Sequence, residues 1–353
     1  MTSMADESQL RDWAETKNYR QIAIELIQLE NERGLISLVD LGEDPERALE
    51  DNPEVTIEYD TSPKEGCSVY GYYRYRPREQ SIIFVHPALT SERDNFTIVH
   101  EYGHHVQRQH EHWANVRHSY PGQSGLKLEE RVADAFAAEV LIPAQTAPPD
   151  ASWLSALTLS EVYGRVRASR AAVAMRAAEI APSGEQAVVV VADSQGLVTF
   201  ARACGDDIYT PARGLVQPSV ARLIEQALSS GGHTTGSLTE GIQFGSGWAQ
   251  QDLTAEVAID HSGNYAFIVI RSAQRFGRRP IWDRVEHECP RSACELVFIV
   301  DESISFCEKY NTPKCPDCGG CECEPVPAAV CELCFMELSV AEQANLSKHV
   351  CDF

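Results

Sequence analysis

Apolar positions along the N-terminal part of the chain predict one helix followed by a small sheet. Apolar residues recur at helical spacing over residues 20–30, whereas residues 55–59 alternate apolar and polar side chains as a half-buried strand does. Aromatic and β-branched residues cluster over residues 68–75 and 81–85, and this clustering is typical of a hairpin or of two neighbouring strands. Pro87 ends the second of these strands.

Two longer helices are predicted to follow. The first begins at an N-cap supplied by Thr90 or Ser91, and its apolar residues recur at three- and four-residue steps. Gly103 lies within this helix, where glycine costs about 1 kcal/mol relative to alanine, so we expect a second helix to approach closely at that position. The second helix runs roughly over residues 126–141 and is closed by Pro143.

Residues that interrupt helices and strands, together with changes in composition, divide the chain into four expected parts. The first part ends near residue 150, at a Pro-Pro-Asp breaker, and residues 158–180 then contain two helical stretches typical of a helix-turn-helix pair. Residues 186–272 predict two β-hairpins, and the remainder is acidic and rich in cysteine. The expected parts are residues 1–150, 151–183, 184–280 and 281–353.

Composition limits the classes of function. The chain has 353 residues, of which 43% are hydrophobic, so it can bury a substantial core. Its formal net charge of −22 repels a phosphate backbone, and we therefore expect no direct binding to nucleic acid. No apolar run approaches the roughly 20 residues that cross a bilayer, and the first residues lack the basic-then-apolar order of a signal peptide. These features predict a cytoplasmic protein without membrane association.

The motif His100-Glu101-Tyr102-Gly103-His104 carries the clearest chemistry. Histidines four positions apart share one face of a helix, so His100 and His104 can both place a nitrogen about 2.0–2.1 Å from one zinc ion. Zinc lowers the pKa of a bound water toward about 7, and Glu101 can accept the proton of that water as it attacks a carbonyl. This pattern predicts a zinc metallopeptidase with Glu101 as the catalytic residue. A surface helix that carries histidines by chance is the alternative.

The third zinc ligand is expected on the second helix, because two histidines leave a catalytic site one protein ligand short. Glu129 and Glu130 are adjacent there and lie about 100° apart around the helix, so only one of them can face the first helix. Glu130 shares its face with Ala133 and Ala137, whose small side chains let two helices pack closely. These positions favour Glu130, leave Glu129 as the alternative ligand, and predict that Glu129 is the more exposed of the two.

Two sequence blocks together resemble the ImmA/IrrE metallopeptidase family. They are Phe96-Thr97-Ile98-Val99 running into the motif, and Glu130-x-x-Ala133-Asp134-x-Phe136-Ala137-x-x-Val140-Leu141-x-Pro143. The resemblance covers roughly residues 15–180. It implies that His100, His104 and Glu130 bind the zinc ion and that Glu101 is the catalytic base.

The chain departs from this family at one position of the second block. Asp134 stands where the family usually has asparagine, which adds a negative charge near the metal. His105 follows the motif directly but lies off the ligand face, so we expect it to have a structural role or to support a ligand.

The resemblance also implies a fold and a class of substrate. The expected fold is α+β, and the resemblance implies a zincin-like domain of a small sheet and the motif helix within residues 1–150. Outside the resemblance, the residue patterns predict a segment resembling a helix-turn-helix, a β-rich domain that resembles a GAF sensory domain in its order and hairpins, and a small Cys-rich zinc-binding tail. Proteins of this family are cytoplasmic proteases that inactivate helix-turn-helix transcriptional repressors in stress or mobile-element responses. The alternative is a non-cleaving zinc-binding regulator that recognises a partner protein, as in toxin–antitoxin pairs; the presence of Glu101 argues against it.

The acidic tail predicts a second metal site of a different kind. Cys315-x-x-Cys318 and Cys331-x-x-Cys334 are separated by 12 residues, which is close to the spacing of a zinc ribbon. We therefore expect one catalytic zinc ion and at least one structural zinc ion per chain.

Other ligands in this tail remain open from the sequence. Further candidates lie between the two pairs or outside them, namely Cys321 and Cys323 between them, and Cys289, Cys294, Cys307, His349 and Cys351 for a second site. An iron–sulfur cluster is the alternative occupant, because thiolates alone do not distinguish the metals.

Overall fold

Helices and strands are mixed along the chain, and the α+β class predicted from the sequence is confirmed. The computed structural model describes residues 4–60, 70–87, 91–182, 184–205, 208–273, 282–284, 286–291, 294, 296–300, 304–307 and 312–321. The helices are α1 (Glu7–Glu15), α2 (Tyr19–Arg33), α3 (Leu38–Glu43), α4 (Pro45–Leu49), α5 (Ser91–Gln109), α6 (Glu111–His118), α7 (Gly122–Leu141), α8 (Ala156–Tyr163), α9 (Arg170–Ile180) and α10 (Pro218–Ser229). The strands are β1 (Val55–Tyr59), β2 (Gly71–Arg74), β3 (Ser81–Val85), β4 (Ala187–Asp193), β5 (Val198–Cys204), β6 (His233–Leu238), β7 (Ile242–Gln243), β8 (Trp248–Gln250), β9 (Leu253–Ile259), β10 (Tyr265–Ser272), β11 (Trp282–Arg284), β12 (Glu286–Glu288) and β13 (Val297–Ile299).

Local signals place the N-terminal helices. Asp6 caps α1, since its carboxylate accepts a hydrogen bond from the backbone N–H of Gln9 at 2.9 Å. Gly34 ends α2 with a left-handed φ of 62°, a conformation that costs glycine nothing. Asp44 caps α4, whose first turn begins with Pro45. These stops let α2 turn back and pack against α7.

The first sheet has the order β1-β3-β2 and lies beside α5. β1 pairs with β3 in parallel, and β2 pairs with β3 in antiparallel fashion. The predicted strands at 55–59 and 81–85 are confirmed, and the aromatic cluster at 68–75 contains the short strand β2. Because β2 lies at one end of this order and contacts α5, an edge of the sheet borders the helix that carries the histidine motif.

The helices α5 and α7 pack closely at Gly103, as its position predicted. A Cβ on Gly103 would lie only 3.1 Å from Cδ1 of Phe136 and 3.4 Å from Cα of Ala133. Ala133 and Ala137 are fully buried in the same contact. Small residues on both helices therefore bring the two metal-ligand segments within reach of each other.

The second sheet is antiparallel, with the order β5-β4-β10-β9-β6, and has helices on both faces. Val189 and Phe267 face the core shared with α8 and α9, whereas Val188 and Ile268 face the core shared with α10. This alternation follows from the two-residue period of a strand. The hairpins predicted within residues 186–272 are confirmed as β4–β5 and β9–β10.

A buried ion pair joins α9 to α7. Nη2 of Arg176 lies 2.5 Å from Oε2 of Glu139, and both side chains are more than nine-tenths buried. Nε of Arg176 also donates a hydrogen bond to the backbone oxygen of Ile142 at 3.1 Å. These contacts fix α9, one of the helices that cover the second sheet, against the end of α7, the helix that carries Glu130.

Two smaller sheets complete the described chain. One has the order β11-β8-β7, and the other is the antiparallel pair β12–β13. Among the helices that the structure describes, none combines the length and the apolar character that a membrane crossing requires.

Candidate active site

The structure brings the three predicted zinc ligands together. Nε2 of His100 and Nε2 of His104 lie 3.3 Å apart. The carboxylate of Glu130 reaches both, with Oε2 at 3.3 Å from His100 Nε2 and Oε1 at 3.5 Å from His104 Nε2. One turn of α5 therefore presents two imidazoles to a single carboxylate from α7.

These distances fit a tetrahedral zinc ion. Ligand atoms about 2.0–2.1 Å from such an ion lie about 3.3–3.4 Å from one another. The three contacts among His100, His104 and Glu130 measure 3.3–3.5 Å. Two imidazole nitrogens and one carboxylate are also the donor set of catalytic zinc sites, which keep a fourth position for water or substrate.

Each histidine has a second carboxylate at its other ring nitrogen. Nδ1 of His100 lies 3.1 Å from Oδ1 of Asp134, and Nδ1 of His104 lies 3.5 Å from Oε1 of Glu129. Carboxylates in this position orient a metal-binding imidazole and increase its basicity. Asp134, which stands where the family usually has asparagine, therefore places a negatively charged carboxylate next to Nδ1 of His100. The signal was available in the sequence, because Asp134 is four residues after Glu130 and shares its helix face.

The relative exposure of the two adjacent glutamates is the reverse of the sequence prediction. The side chain of Glu130 is 60% exposed, whereas that of Glu129 is 10% exposed. Glu129 is buried because α6 covers it, and Nη1 of Arg117 lies 2.5 Å from its Oε2. The side-chain amide of Gln107 donates a hydrogen bond to the backbone oxygen of Glu129 at 3.0 Å. Glu129 therefore lies beneath His104, and Glu130 reaches over the histidines from the open side.

Electrostatic contacts hold these carboxylates ionised. Hydrogen bonds from His100 and His104 hold the pKa of Glu130 well below its usual range. Burial opposes ionisation of Glu129, but its contacts with His104 and Arg117 outweigh burial and lower its pKa. Burial also opposes protonation of His100, yet Asp134 and Glu130 raise the pKa of His100 to about 9.

Glu101 lies on the same helix, between the histidines and the edge strand β2. Its side chain is buried, and burial raises its pKa, an effect that His100 and His104 partly offset. The backbone N–H of Tyr73 in β2 is a hydrogen-bond partner of its carboxylate. A carboxylate with a raised pKa is suited to accept and return a proton near neutral pH.

His105 has a structural role, as its position off the ligand face predicted. It is 2% exposed, with Nδ1 at 3.1 Å from the Tyr73 hydroxyl and Nε2 at 2.9 Å from Oε2 of Glu54. These contacts join α5 to β2 and to the segment before β1.

Gly71 allows β2 to approach α5 closely, a feature that sequence reasoning missed. A Cβ on Gly71 would lie 2.4 Å from Cγ2 of Thr97, 2.7 Å from the backbone oxygen of Phe84 and 3.5 Å from Cγ of Glu101. No residue larger than glycine fits without moving the strand. The sequence contains no local signal for this contact, because the neighbours lie on β3 and α5, away from Gly71 along the chain.

Gly71→Ala is expected to destabilise the fold by about 1–3 kcal/mol, the usual cost of overpacking. The measurement is the free energy of unfolding in denaturant. Thr97→Ser in the same protein removes the methyl group that clashes, so the double variant should recover part of this loss; the rigid backbone oxygen of Phe84 prevents full recovery. An unchanged stability in Gly71→Ala would contradict the close approach of β2 to α5.

The predicted cysteine ligands of the tail are only partly described. Cys315 and Cys318 lie together with Cys289 and Cys294, and their sulfur atoms are all within 4.8 Å of one another. Cys321 is described but is not a member of this cluster. Cys307, a candidate for a second site, is described as well and is not a member of this cluster. The remaining predicted ligands lie outside the described residues, namely Cys323, Cys331 and Cys334, with His349 and Cys351.

Comparisons with known proteins place the motif within a family. Residues 66–177 match the family Peptidase_M78, described as the IrrE N-terminal-like domain. No curated protein matches the chain. A solved structure of a Mycobacterium tuberculosis transcriptional regulator aligns with 75% of this chain and 80% of its own chain, at 12% sequence identity and a TM-score of 0.40, a likeness too weak to support a conclusion. The chain therefore carries an IrrE N-terminal-like, Peptidase_M78 domain, and the resemblance seen in its two sequence blocks is confirmed.

Proposed function

We propose that the chain is a zinc-dependent endopeptidase. The observation that carries this proposal is the cluster of His100, His104 and Glu130 at tetrahedral spacing, with Glu101 beside it on the same helix. The match of residues 66–177 to a peptidase family supports the same chemistry. A scaffold that only binds zinc has no need of a buried carboxylate next to the ligands.

The zinc ion, Glu101 and Glu130 would each have a different role in hydrolysis. Zinc, when bound there, supplies a Lewis acid that lowers the pKa of a water molecule and polarises the substrate carbonyl. Glu101 accepts the proton of the attacking water and returns it to the leaving amine. The side chain of Glu130 is 60% exposed, and the proposed substrate approaches the histidines from this side.

The edge of β2 offers a way to hold the substrate. An extended peptide can add to a sheet edge through main-chain hydrogen bonds. β2 lies at an end of its sheet and is held against α5 next to Glu101. A peptide paired with β2 would pass along the helix that carries the zinc ligands. This arrangement favours an exposed, extended loop of a folded protein as the substrate.

The proposed substrate is a helix-turn-helix transcriptional repressor, which the family resemblance implies. Cleavage of the repressor would relieve repression in a stress or mobile-element response. The C-terminal parts are proposed to have other roles: residues 151–183 resemble a helix-turn-helix segment and residues 184–280 a GAF sensory domain.

Removal of zinc is expected to abolish cleavage, and added zinc is expected to restore it. Purified protein is incubated with the repressor encoded beside its gene, before and after treatment with a chelator, and products are followed by mass spectrometry. His104→Ala is the matched control, because added zinc should not restore its activity. Cleavage by chelator-treated protein that contains no zinc would contradict a metallopeptidase.

A further inference from the structure

We propose that Cys289, Cys294, Cys315 and Cys318 bind one structural zinc ion. This set differs from the ribbon predicted by spacing, which pairs Cys315 and Cys318 with a later Cys-x-x-Cys. The proposed site is separate from the peptidase site and has a structural role in the C-terminal module, defined here as residues 286–321.

The sulfur positions fit a tetrahedral ion and exclude disulfides. Sγ of Cys289 lies 3.4 Å from Sγ of Cys318, and Sγ of Cys294 lies 3.7 Å from Sγ of Cys315. A disulfide requires about 2.05 Å. Four thiolates about 2.3 Å from a zinc ion lie about 3.8 Å from one another. Both distances are close to this spacing, and all four sulfur atoms lie within 4.8 Å of one another.

One pair of ligands comes from a knuckle-like turn. Within Cys315-Pro-Asp-Cys318, the N–H of Gly319 donates a hydrogen bond to the backbone oxygen of Cys315 at 2.9 Å, and the N–H of Cys315 donates to the oxygen of Gly320 at 2.7 Å. Gly319 has a φ of +66°, a left-handed conformation that glycine adopts without strain.

The other pair comes from the hairpin formed by β12 and β13. The N–H of Cys289 donates a hydrogen bond to the oxygen of Leu296 at 2.8 Å, which continues the strand pairing. The N–H of Cys294 donates to the oxygen of Arg291 at 2.9 Å and turns the chain back. Two turns from separate segments thus each contribute two sulfur atoms to the same cluster.

The apolar core around these sulfur atoms is small in the part of the chain that the structure describes. Among the described residues, this core consists of the buried side chains Phe298 and Val300 with Cys289 and Cys315, and a few half-buried neighbours. Units below about 40 residues usually need disulfides, metals or oligomerisation to fold. A zinc ion held by four thiolates supplies the missing cross-link.

The module is fixed to the rest of the protein at the turn between β7 and β8. Gly247 has a φ of +78°, and a Cβ there would lie 2.6 Å from Cβ of Val300. β11 also pairs with β8 just before the module begins. The zinc ion would therefore keep Val300 in place against this turn.

Zinc content tests the ligand set. The full chain carrying His104→Ala, which removes a ligand of the peptidase site, is compared with the same protein carrying Cys294→Ser or Cys321→Ser. Elemental analysis should show about one zinc ion fewer per chain for Cys294→Ser and no change for Cys321→Ser. Unchanged zinc in Cys294→Ser would overturn the proposal, and iron in place of zinc would overturn the identity of the ion.

Thiol alkylation tests the same set without a substitution that affects folding. In the zinc-loaded protein, Cys289, Cys294, Cys315 and Cys318 should resist alkylation and become reactive together when a chelator removes the ion. Peptide mass spectrometry reads each cysteine separately, with the nearby Cys321 as the unprotected reference. Alkylation of any of the four at the rate of Cys321 in the zinc-loaded protein would overturn the proposal.

Discussion

Glu101→Gln is expected to reduce substrate cleavage by about 10²–10⁴-fold while zinc content and thermal stability stay near those of the wild type. Glutamine keeps the size of the side chain and can still contact the backbone N–H of Tyr73, but it cannot accept a proton from water. The variant therefore removes general-base catalysis and leaves the zinc ligands intact. Substrate binding should survive, because Glu101 is not a predicted zinc ligand and glutamine fills the same space.

The same variant separates the peptidase from a non-cleaving regulator. Repressor cleavage in vitro and derepression in cells are measured for the wild type, Glu101→Gln and Glu111→Gln, the last being an exposed glutamate at the start of α6. A peptidase loses both activities in Glu101→Gln and neither in Glu111→Gln. Full derepression by Glu101→Gln would show that recognition of the repressor is sufficient, and the proposed endopeptidase would be wrong.

The sequence predicted the elements of the active site well because each has a strong local pattern. The motif helix and its partner contain apolar residues at helical spacing, and Gly103 indicated where the two helices approach. The alternating strand at 55–59 and the apolar strand at 81–85 were equally clear. These features depend on neighbouring residues, so they can be read along the chain.

Contacts between distant segments were not predictable in this way. Glu129 was expected to be exposed because the prediction considered only the contact of α7 with α5. In the structure α6 packs over α7 and places Arg117 against Glu129. The spacing of apolar residues along the chain does not predict such a contact. Spacing along the chain likewise gave no sign that the sulfur atoms of Cys289 and Cys318 lie 3.4 Å apart. Cys331 and Cys334, which spacing predicted as ligands, lie outside the described residues.

Glu130→Gln is expected to weaken zinc binding by well over 100-fold. This loss is larger than that expected for substitutions of Glu129 or Asp134, which contact the histidines at Nδ1. The substitution replaces a charged ligand by a neutral amide oxygen, which is a poorer donor to zinc. Glu129→Gln should weaken binding by about 10–100-fold, the usual effect of losing a carboxylate that orients a metal-binding histidine. The sequence predicted an exposed Glu129, so this variant tests the contact with His104 that the structure shows.

Zinc affinity of the peptidase site is measured for four variants by competition with a chromophoric chelator. The contacts of each side chain with the histidines predict how much affinity each variant loses. Asp134→Asn should change affinity least among the residues near the histidines, because asparagine retains an oxygen that can accept from Nδ1 of His100. Glu111→Gln lies away from the site and should match the wild type. The expected order of loss is Glu130→Gln, then Glu129→Gln, then Asp134→Asn. A greater loss for Glu129→Gln than for Glu130→Gln would make Glu129 the ligand, and the carboxylate that reaches over the histidines would then have no role in binding the ion.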